Sequence, residues 1–375
     1  MQNMFWPILE KVKSVLDSLE SWLNSRVNLP YKKAICLLGQ RVDFLSVEEN
    51  VQNNILKYYK FFTNLSHKCP SISSNSLHVC MTDAFPAAWG FKEKSPDKGK
   101  VPKEDYVDIG PYRLITKSRT GLRIILKENF KGVWFDISTI SDLNQVINVV
   151  NVLLAVAWLR VGYSLFHASA IVFKDNSVAL FIGKAGKGKS TALMSCIGDG
   201  MKFMSNDRVI IGTVGKSKLS AIGYPKLPRL NPGTMLHNPK LVRLLSMEDR
   251  VKFLTMDNEV LWNLEDKRDI CLSEIYSSSV LMPFGQLSSI LFLNWDRDHD
   301  SNMDVKKIPK SSFILNVNYM FKDLGVFDLE GISFISYQEK IERLRSYYDK
   351  IAVYEVRGKF SPEGLREWLI LNLHQ

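Results

Sequence analysis

Apolar residues near the start of the chain recur at intervals of three and four positions. A similar run covers residues 47–62. This spacing is the period of an α-helix with one apolar face, so the pattern predicts two amphipathic helices. Such a face packs on protein more often than it lies on a membrane surface, and the sequence leaves both uses open. The first stripe, between residues 4 and 24, consists of Phe5, Ile8, Leu9, Val12, Val15, Leu16, Leu19, Trp22 and Leu23.

The pattern changes after the second predicted helix. Residues 70–105 are rich in Ser, Pro, Gly and Lys, a composition typical of a long connection or mobile arm. Short alternating runs follow at 112–115, 122–126 and 132–135, and the Thr-Gly pair at 120–121 suits a hairpin turn. These runs predict an antiparallel β module.

A long apolar helix and two strands are predicted next. Residues 142–163 carry a broad apolar face at helical spacing. Two apolar runs, at 165–173 and 177–183, then flank a polar turn at 174–177. This arrangement indicates a β-hairpin whose second strand leads directly into a glycine-rich run.

The glycine-rich run is GKAGKGKST at residues 183–191. It fits G-x-x-x-x-G-K-[ST], the loop that wraps the phosphates of a nucleotide. Its glycines let backbone N–H groups turn inward, Lys189 places a charge near the β- and γ-phosphates, and the Ser190 hydroxyl can ligate Mg²⁺. A helix start after the loop would add its positive dipole end. The predicted nucleotide-binding residues are Gly183, Ala185, Gly186, Lys187, Gly188, Lys189, Ser190 and Thr191.

A carboxylate for the metal is predicted 18 residues after Lys189. Residues 201–211 form two apolar runs around a polar cluster that contains Asn206 and Asp207. The separation suits one helix and a return to the neighbouring strand, and a carboxylate at the tip of that strand can hold Mg²⁺. The predicted metal ligands are therefore Ser190 and Asp207.

His167 begins the first strand of the predicted hairpin. If that strand pairs with the loop strand, the imidazole reaches the same end of the sheet as the loop. A single histidine on a strand is more often structural than catalytic, and beside the loop and Asp207 both roles stay open. The candidate catalytic residues are His167, Lys189, Asp207 and Asn206.

Three segments together resemble the core of the bacterial HPr kinase/phosphorylase family. They are His167-Ala-Ser-Ala, the loop at 183–191, and Ser205-Asn-Asp-Arg-Val209, in the family's order and at similar spacing. Two later segments, 223–234 and 261–268, resemble a divergent branch, the HPr-kinase-related kinases of the B type. The resemblance covers about residues 108–330.

The resemblance implies a fold, an activity and cofactors. The fold would be α/β, with a P-loop core sheet of the HPr-kinase and PEP-carboxykinase-like type behind an N-terminal helical and β region. The activity would be transfer of the γ-phosphate of ATP, with Mg²⁺, to a hydroxyl, most plausibly a seryl side chain of a small protein or peptide. The family also forms hexamers, which suggests a homo-oligomer.

Two departures from the family pattern matter. The family has two adjacent aspartates before Arg-Val, the first acting as base, whereas this chain has Asn206 at that position. His167, a distant carboxylate, or positioning of the hydroxyl alone could replace the base. The later segment Asn231-Pro-Gly-Thr lacks the arginine of the family's phosphorylase loop, which argues against phosphorylase activity. A nucleotide-binding switch or assembly ATPase, and a small-molecule kinase, remain alternative functions.

Two further segments imitate functional motifs. Residues 290–296 end in Asn-Trp-Asp and could pass for a second metal-binding strand, although a buried strand followed by a polar turn explains them equally well. Glu355-Val-Arg-Gly358 matches a family signature but lies at the opposite end of the chain from the family's position. We interpret this second match as chance.

Composition indicates an ordinary globular protein, and the localisation expected from it is cytoplasmic. The 375 residues are 46% hydrophobic and 23% charged, enough for two domains and a full core. The start of the chain lacks a signal-peptide pattern, and no apolar stretch approaches the ~20 residues of a membrane span. Five cysteines without C-x-x-C spacing argue against a disulfide framework or a zinc site.

The net charge indicates the type of partner, and the pattern along the chain indicates its domains. The formal net charge of +10 favours an acidic protein or peptide partner over nucleic acid, because aromatic residues do not interleave the basic ones. The predicted domains are an N-terminal helical region with its arm at 1–105, a nucleotide-binding kinase domain at 106–335, and a C-terminal helical segment at 336–375.

Overall fold

The structure is a computed structural model. It describes residues 2–26, 28–63, 76–86, 89–91, 102–128, 132–214, 218–296, 299–315 and 317–373. Parts of the predicted arm at 70–105, together with Cys69, lie outside these residues.

The described chain contains α-helices and several β-sheets, which confirms the predicted α/β class at this coarse level. The helices are α1 (Gln2–Ser25), α2 (Glu49–Thr63), α3 (Leu143–Arg160), α4 (Lys189–Cys196), α5 (Pro232–Leu236), α6 (Met247–Leu254), α7 (Asn258–Asn263), α8 (Lys310–Ile314), α9 (Val317–Met320), α10 (Tyr337–Tyr347) and α11 (Pro362–Asn372). The strands are β1 (Tyr31–Leu37), β2 (Gln40–Ser46), β3 (Leu77–Thr82), β4 (Glu104–Ile109), β5 (Tyr112–Lys117), β6 (Arg123–Lys127), β7 (Gly132–Asp136), β8 (Ser164–Phe166), β9 (Ser169–Val172), β10 (Ser177–Ile182), β11 (Lys202–Ser205), β12 (Val209–Val214), β13 (Lys218–Gly223), β14 (Arg229–Leu230), β15 (Arg268–Asp269), β16 (Phe284–Leu293), β17 (Asp304–Lys307) and β18 (Ala352–Arg357).

The chain divides into two compact units. Described residues within Met1–Ser66, Pro70–Ala157 and Leu324–Ile332 form unit 1, and those within Trp158–Asp323 and Ser333–Gln375 form unit 2. The sequence-based limits at residues 105 and 335 do not coincide with this division. The physical reason is strand pairing, because β3 pairs with β7 and so joins residues before 105 to residues after it in one sheet.

Unit 1 is built on one seven-stranded sheet of order β1-β2-β3-β7-β6-β5-β4. The predicted antiparallel module is confirmed in β5, β6 and β7. Strands β1, β2 and β3 were not predicted, and β3 corrects the expectation that residues 77–82 belong to a connection. A strand this short, between Ser- and Pro-rich stretches, becomes stable only when it is buried between β2 and β7.

Helices α1 and α2 occur where the apolar period predicted them. The stripe of α1 packs on protein, since Leu19 and Leu23 belong to a buried cluster with Tyr112, Leu114 and Ile125 of the sheet. This contact accounts for the stripe from Val15 to Leu23, whereas Val12 is exposed. The membrane-surface alternative is not needed for residues 15–23.

Helix α3 is the most apolar helix of the described residues and the one candidate membrane span among them. Its 18 residues have a mean hydropathy of 1.4, and 67% of them are buried within the protein. One polar residue on it, Asn151, accepts a hydrogen bond of 3.0 Å from the hydroxyl of Tyr59. A helix buried to this extent, with its polar group satisfied by the same unit, is typical of a protein core.

Unit 2 contains a nine-stranded sheet whose main path is β11-β9-β10-β16-β13-β12-β8. Strand β18 extends it from β16, and β17 pairs with β18. The predicted hairpin is confirmed, because β9 and β10 pair antiparallel. Strands β10, β16 and β18 are mutually parallel, and β11 runs in the same direction because β9 is antiparallel to both β10 and β11. The carboxyl ends of these four strands therefore meet at one edge, where α/β sheets bind ligands.

Gly358 lies in the turn after β18, at this edge of the sheet. Its φ is +74°, and an added Cβ would lie 2.2 Å from the backbone oxygen of Asn302. Gly162 has a similar φ of +89° but no atom within 4 Å of the corresponding position. We expect Gly162→Ala to lower the free energy of unfolding by about 1–2 kcal/mol, the cost of the left-handed backbone alone. Gly358→Ala should cost about 3 kcal/mol or more, because the clash is added to that strain.

Urea unfolding of both variants measures the difference. Equal losses would mean that the turn after β18 opens easily and does not constrain this edge of the sheet.

Candidate functional site

The glycine-rich run forms the turn between β10 and α4, as the sequence predicted. Gly186 and Gly188 have φ values of +80° and +69°, a left-handed backbone that favours glycine. Alternation of this backbone with ordinary turn conformations directs successive N–H groups to one side, which is the geometry of an anion nest. Gly188 is also the N-cap of α4, so the helix begins at Lys189.

Lys189 is folded back on its own loop. Its Nζ donates hydrogen bonds to the backbone oxygens of Gly183, at 2.7 Å, and of Lys184, at 3.1 Å. Burial lowers the pKa of the Lys189 ammonium, attraction to Asp207 opposes this shift, and repulsion from Lys267 adds to it. An ammonium held at the loop only by carbonyl oxygens can exchange them for a phosphate.

The loop is clamped by a tryptophan on the adjacent strand end. The Nζ of Lys187 donates to the backbone oxygen of Trp295 at 2.7 Å, and the indole Nε1 of Trp295 donates to the backbone oxygen of Lys187 at 3.0 Å. Trp295 is buried and stacks on Phe360, with 5.2 Å between ring centroids. Residues 290–296, which the sequence analysis considered as a second metal strand, thus support the loop through Trp295.

This clamp gives a second prediction. Trp295→Phe keeps most of the ring contact but removes the indole donor to Lys187, so the loop should be less ordered before nucleotide binds. We expect the Kd of Mg-ATP to rise about 2–10-fold, the equivalent of one hydrogen bond. Calorimetric titration measures it, with Trp368→Phe on α11 as the matched control. An unchanged Kd in Trp295→Phe would show that the clamp does not order the loop.

The two hydroxyl groups after Lys189 differ in their contacts. Thr191 Oγ1 lies 2.9 Å from Thr234 Oγ1, which ties α4 to α5. The Ser190 hydroxyl makes no hydrogen bond to any part of the chain that the structure describes. It is therefore available to a metal ion or phosphate.

His167 and Asp207 are brought together between β8, β9 and the end of β11. Nδ1 of His167 lies 3.2 Å from Oδ1 of Asp207 and 3.1 Å from the backbone oxygen of the same residue. The backbone fixes this pair, because the N–H of Ala168 donates to the Asp207 oxygen at 3.1 Å. Both neighbours of Nδ1 are acceptors, so in the neutral imidazole Nδ1 is the nitrogen that carries the proton and Nε2 is the acceptor.

The environment of Asp207 favours its carboxylate form. Burial raises the pKa of Asp207, but the hydrogen bond from His167 and the charges of Arg208, His167 and Lys226 outweigh it and hold that pKa well below its usual range. Oδ2 lies 3.5 Å from Nε of Arg208. The side chain remains 45% exposed, so an ionised carboxylate faces solvent at this edge.

The strand that carries Asp207 is not the immediate neighbour of the loop strand. The sequence analysis expected a return to the neighbouring strand, whereas β9 lies between β10 and β11. The strand parallel to β10 and next to it is β16. Asp207 still reaches the loop's edge of the sheet, and its charge acts on Lys189.

Asn206, which precedes Asp207 in the chain, is held by two hydrogen bonds. Its Nδ2 donates to the backbone oxygen of Arg229 at 3.4 Å, and its own backbone oxygen accepts from the Ser169 hydroxyl at 2.8 Å. Its Oδ1 is buried and has no hydrogen-bond partner among the described residues. An unpaired buried carbonyl is rare in proteins and calls for a partner such as a water molecule, an ion or a ligand.

The tertiary structure also places basic residues near the site that the sequence analysis did not select. They lie on the segment after β13 and on the small β14–β15 sheet, whose Arg229 pairs with Asp269. Lys226 and Lys267 belong to this group, and their charges act on Asp207 and on Lys189 respectively. The run of prolines and cations at 224–229 was the available signal, but a sequence does not tell which side of the sheet such a loop faces.

The residues present fit a magnesium ion shared with a nucleotide. No group of three or more His, Cys, Asp or Glu side chains within the described ranges could hold a metal alone. Mg²⁺ beside phosphates needs only one or two protein oxygens, because phosphates and water complete its shell. The unpaired Ser190 hydroxyl and the exposed, ionised Asp207 are of the required type.

Comparison with known proteins adds little. No family model and no curated protein matches the chain. Among solved structures, the chain is similar to the HPr(Ser) kinase/phosphatase of Coxiella burnetii, with 9% sequence identity and a TM-score of 0.27 over 55% of this chain and 93% of that one. A likeness this weak does not show that the chain belongs to that family.

Proposed function

We propose that this protein is a P-loop phosphotransferase that moves the γ-phosphate of Mg-ATP to a hydroxyl group. One observation carries the proposal: the glycine-rich loop, with Lys189 on its carbonyls, lies at the same sheet edge as the His167–Asp207 pair. Phosphate binding and proton removal are the two tasks of such an enzyme.

The loop would hold the phosphates. N–H groups around Gly186 and Gly188 and the first turn of α4 would donate to them, and Lys189 would exchange the oxygens of Gly183 and Lys184 for phosphate oxygens. Ser190 and Asp207 would hold Mg²⁺, which supplies neutralisation of the charge on the phosphate oxygens when it is bound. The loop is already in its left-handed conformation, so little reorganisation opposes binding.

His167 would serve as the base in place of the family's first aspartate. Its Nδ1 proton is held by Asp207, which leaves Nε2 to accept the proton of the acceptor hydroxyl. The acceptor oxygen forms a bond to the γ-phosphorus, the bond from that phosphorus to the β,γ-bridging oxygen breaks, and ADP leaves. The Asn206 side chain is an uncharged amide and cannot take the proton.

The acceptor we propose is a seryl hydroxyl of a small protein or peptide, preferably an acidic one. The basic residues at the site and the net charge of +10 suit an acidic partner, and the lack of aromatic residues interleaved with the basic ones disfavours nucleic acid. A cytoplasmic location and a homo-oligomeric state are further parts of the proposal.

A second candidate function is a nucleotide-binding switch without an acceptor. Asn206 favours it, because the aspartate that the resembled kinases use as base is absent and no other carboxylate than Asp207 contacts His167 among the described residues. Such a protein would bind and slowly hydrolyse ATP and change partners with the nucleotide state.

Transfer of ³²P from γ-labelled ATP distinguishes the two functions. The purified protein is incubated with Mg²⁺ and with serine peptides of acidic, neutral and basic flanks. We expect label in peptide, and none when His167→Ala replaces the wild type. Tight ATP binding with release of inorganic phosphate only would support the switch, and failure to bind ATP would overturn both functions.

A further inference from the structure

Trp262 is an exposed tryptophan on the short helix α7. It is 47% exposed, whereas its neighbour Leu261 is only 6% exposed. Tryptophan is highly buried on average in folded proteins, because its large apolar ring gains from leaving water. Small-molecule sites are lined mainly by apolar and aromatic side chains, so an exposed tryptophan matters where it borders such a site.

Aromatic contacts place Trp262 beside the glycine-rich loop. A Cβ added to Gly188, the N-cap of α4, would lie 3.5 Å from Cε1 of Phe360 and 3.7 Å from Cζ2 of Trp295. The ring centroid of Trp262 lies 5.5 Å from that of Trp295, with an angle of 81° between the ring planes. These are the distances of groups in direct contact. The ring of Trp295 therefore links Trp262 to the start of α4.

A second series of contacts holds α7 near α4. Thr191 Oγ1 on α4 lies 2.9 Å from Thr234 Oγ1 on α5. A Cβ added to Gly233 on α5 would lie 3.7 Å from Cγ of Leu261, so α5 in turn packs on α7. The carboxylate of Asp257 accepts hydrogen bonds from backbone N–H groups in the first turn of α7. Because α7 is held in this way, Trp262 has a fixed position before a ligand binds, which lowers the entropic cost of binding.

We propose that the exposed ring of Trp262 stacks on the base of the nucleotide whose phosphates the loop holds. The inference rests on the proposed nucleotide-binding function and adds the part of the site that holds the base. Phosphates bound at Gly188 and the first turn of α4 leave the ribose and base to extend beyond the loop. Trp262 is reached from Gly188 through one ring, that of Trp295, and every nucleobase has a π-face on which an indole can stack. This continuity with the loop favours a nucleobase over a second protein as the occupant.

A comparison of ATP with a ligand that lacks the base tests this inference. Magnesium tripolyphosphate has three linked phosphates without ribose or base, and calorimetry measures its Kd and that of Mg-ATP for each variant. We expect Trp262→Ala to weaken Mg-ATP at least ~10-fold, because one stack between a base and an aromatic ring is lost. Binding of tripolyphosphate should stay within about 2-fold. Trp262→Phe keeps an aromatic ring and should weaken Mg-ATP by less than about 3-fold.

Val260→Ala is the matched control, because Val260 is 55% exposed on the same helix. This variant should bind both ligands as wild type does. Tripolyphosphate serves as an internal control in Trp262→Ala, since its unchanged binding shows that the loop and the fold are intact. Equal weakening of Mg-ATP in Val260→Ala and Trp262→Ala would assign the effect to α7 as a whole and overturn the inference.

Photolabelling with 8-azido-ATP tests the contact itself. Light converts the azide on the base into a nitrene, which reacts with side chains next to the base. Digestion with trypsin yields the peptide at 253–267, which contains Trp262 and is bounded by cleavage after Lys252 and Lys267. We expect mass spectrometry to find the label on this peptide and excess ATP to suppress it. Absence of label from this peptide would overturn the inference.

The outcomes separate the inference from the proposed function. If ATP binds through Trp262 but no acceptor is ever phosphorylated, the kinase function fails and the base site stands. If phosphate is transferred and Trp262→Ala binds Mg-ATP as wild type does, the kinase function stands and the inference is wrong. If Trp262→Ala weakens tripolyphosphate as strongly as Mg-ATP, Trp262 only supports the loop and the inference is wrong. If wild type binds neither ligand, both fail.

Discussion

We expect Lys189→Ala to bind Mg-ATP at least ~100-fold more weakly than wild type, while the fold is retained. A charged hydrogen bond to phosphate contributes about 1.5–3 kcal/mol, and a ~100-fold change in Kd corresponds to about 2.8 kcal/mol. The fold should tolerate the change, because among the described residues the ammonium donates hydrogen bonds only to the oxygens of its own loop, those of Gly183 and Lys184. Calorimetry measures the affinity, and circular dichroism and urea unfolding measure the fold.

Lys184→Ala is the control for this variant. Lys184 belongs to the same loop, but its side chain is exposed and its Nζ lies 5.3 Å from the ring centre of Tyr319. Its removal should change the Kd by less than about 3-fold. If Lys189→Ala binds Mg-ATP as tightly as Lys184→Ala does, the loop is not a phosphate site and the proposed function is wrong.

The second large effect is expected for Asp207→Asn. The substitution removes the carboxylate that holds the Nδ1 proton of His167 and that would share Mg²⁺ with Ser190. If the proposed roles are right, loss of the group that orients the base and of the metal ligand should lower the rate of ATP turnover by about 10²–10⁴-fold and raise the Mg²⁺ concentration required. Nucleotide affinity should fall much less, because the loop is intact.

Initial rates at several Mg²⁺ concentrations measure this effect. Asp304→Asn is the control, since Asp304 is exposed on β17 and pairs only with Lys306 at 2.8 Å among the described residues. An Asp207→Asn variant with wild-type rate and Mg²⁺ dependence would leave Asp207 a structural role, in which it pairs with His167 and Arg208.

Several elements of this chain were predictable from local sequence patterns alone. The loop at 183–191 was predictable because glycine at a left-handed position, a lysine and a hydroxyl residue at set spacing encode one local conformation. The helices α1, α2 and α3 followed from apolar period alone. The hairpin of β9 and β10 followed from two apolar runs around a short polar turn.

Features that depend on distant strand pairing were not predictable. Glu355-Val-Arg-Gly358 was interpreted as chance because of its position near the end of the chain, yet β18 pairs parallel with β16 and carries it to the loop's edge of the sheet. There Gly358 accepts a hydrogen bond from the N–H of Asp296, and Glu355 accepts one from Asn294. The sequence alone could not place this segment beside the loop, because the pairing of β18 with β16 joins distant parts of the chain.

The sequence by itself determined the phosphate-loop pattern, the candidate residues His167 and Asp207, and the helical or strand character of most segments, because each depends on neighbours within a few residues. Only the tertiary structure decided that β9 separates β11 from the loop strand, that Trp295 clamps the loop, and that Asn206 Oδ1 is buried with no hydrogen-bond partner among the described residues. Those facts depend on which strands pair and in what direction. Backbone hydrogen bonding and burial across the whole sheet select that pairing, and no local pattern encodes it.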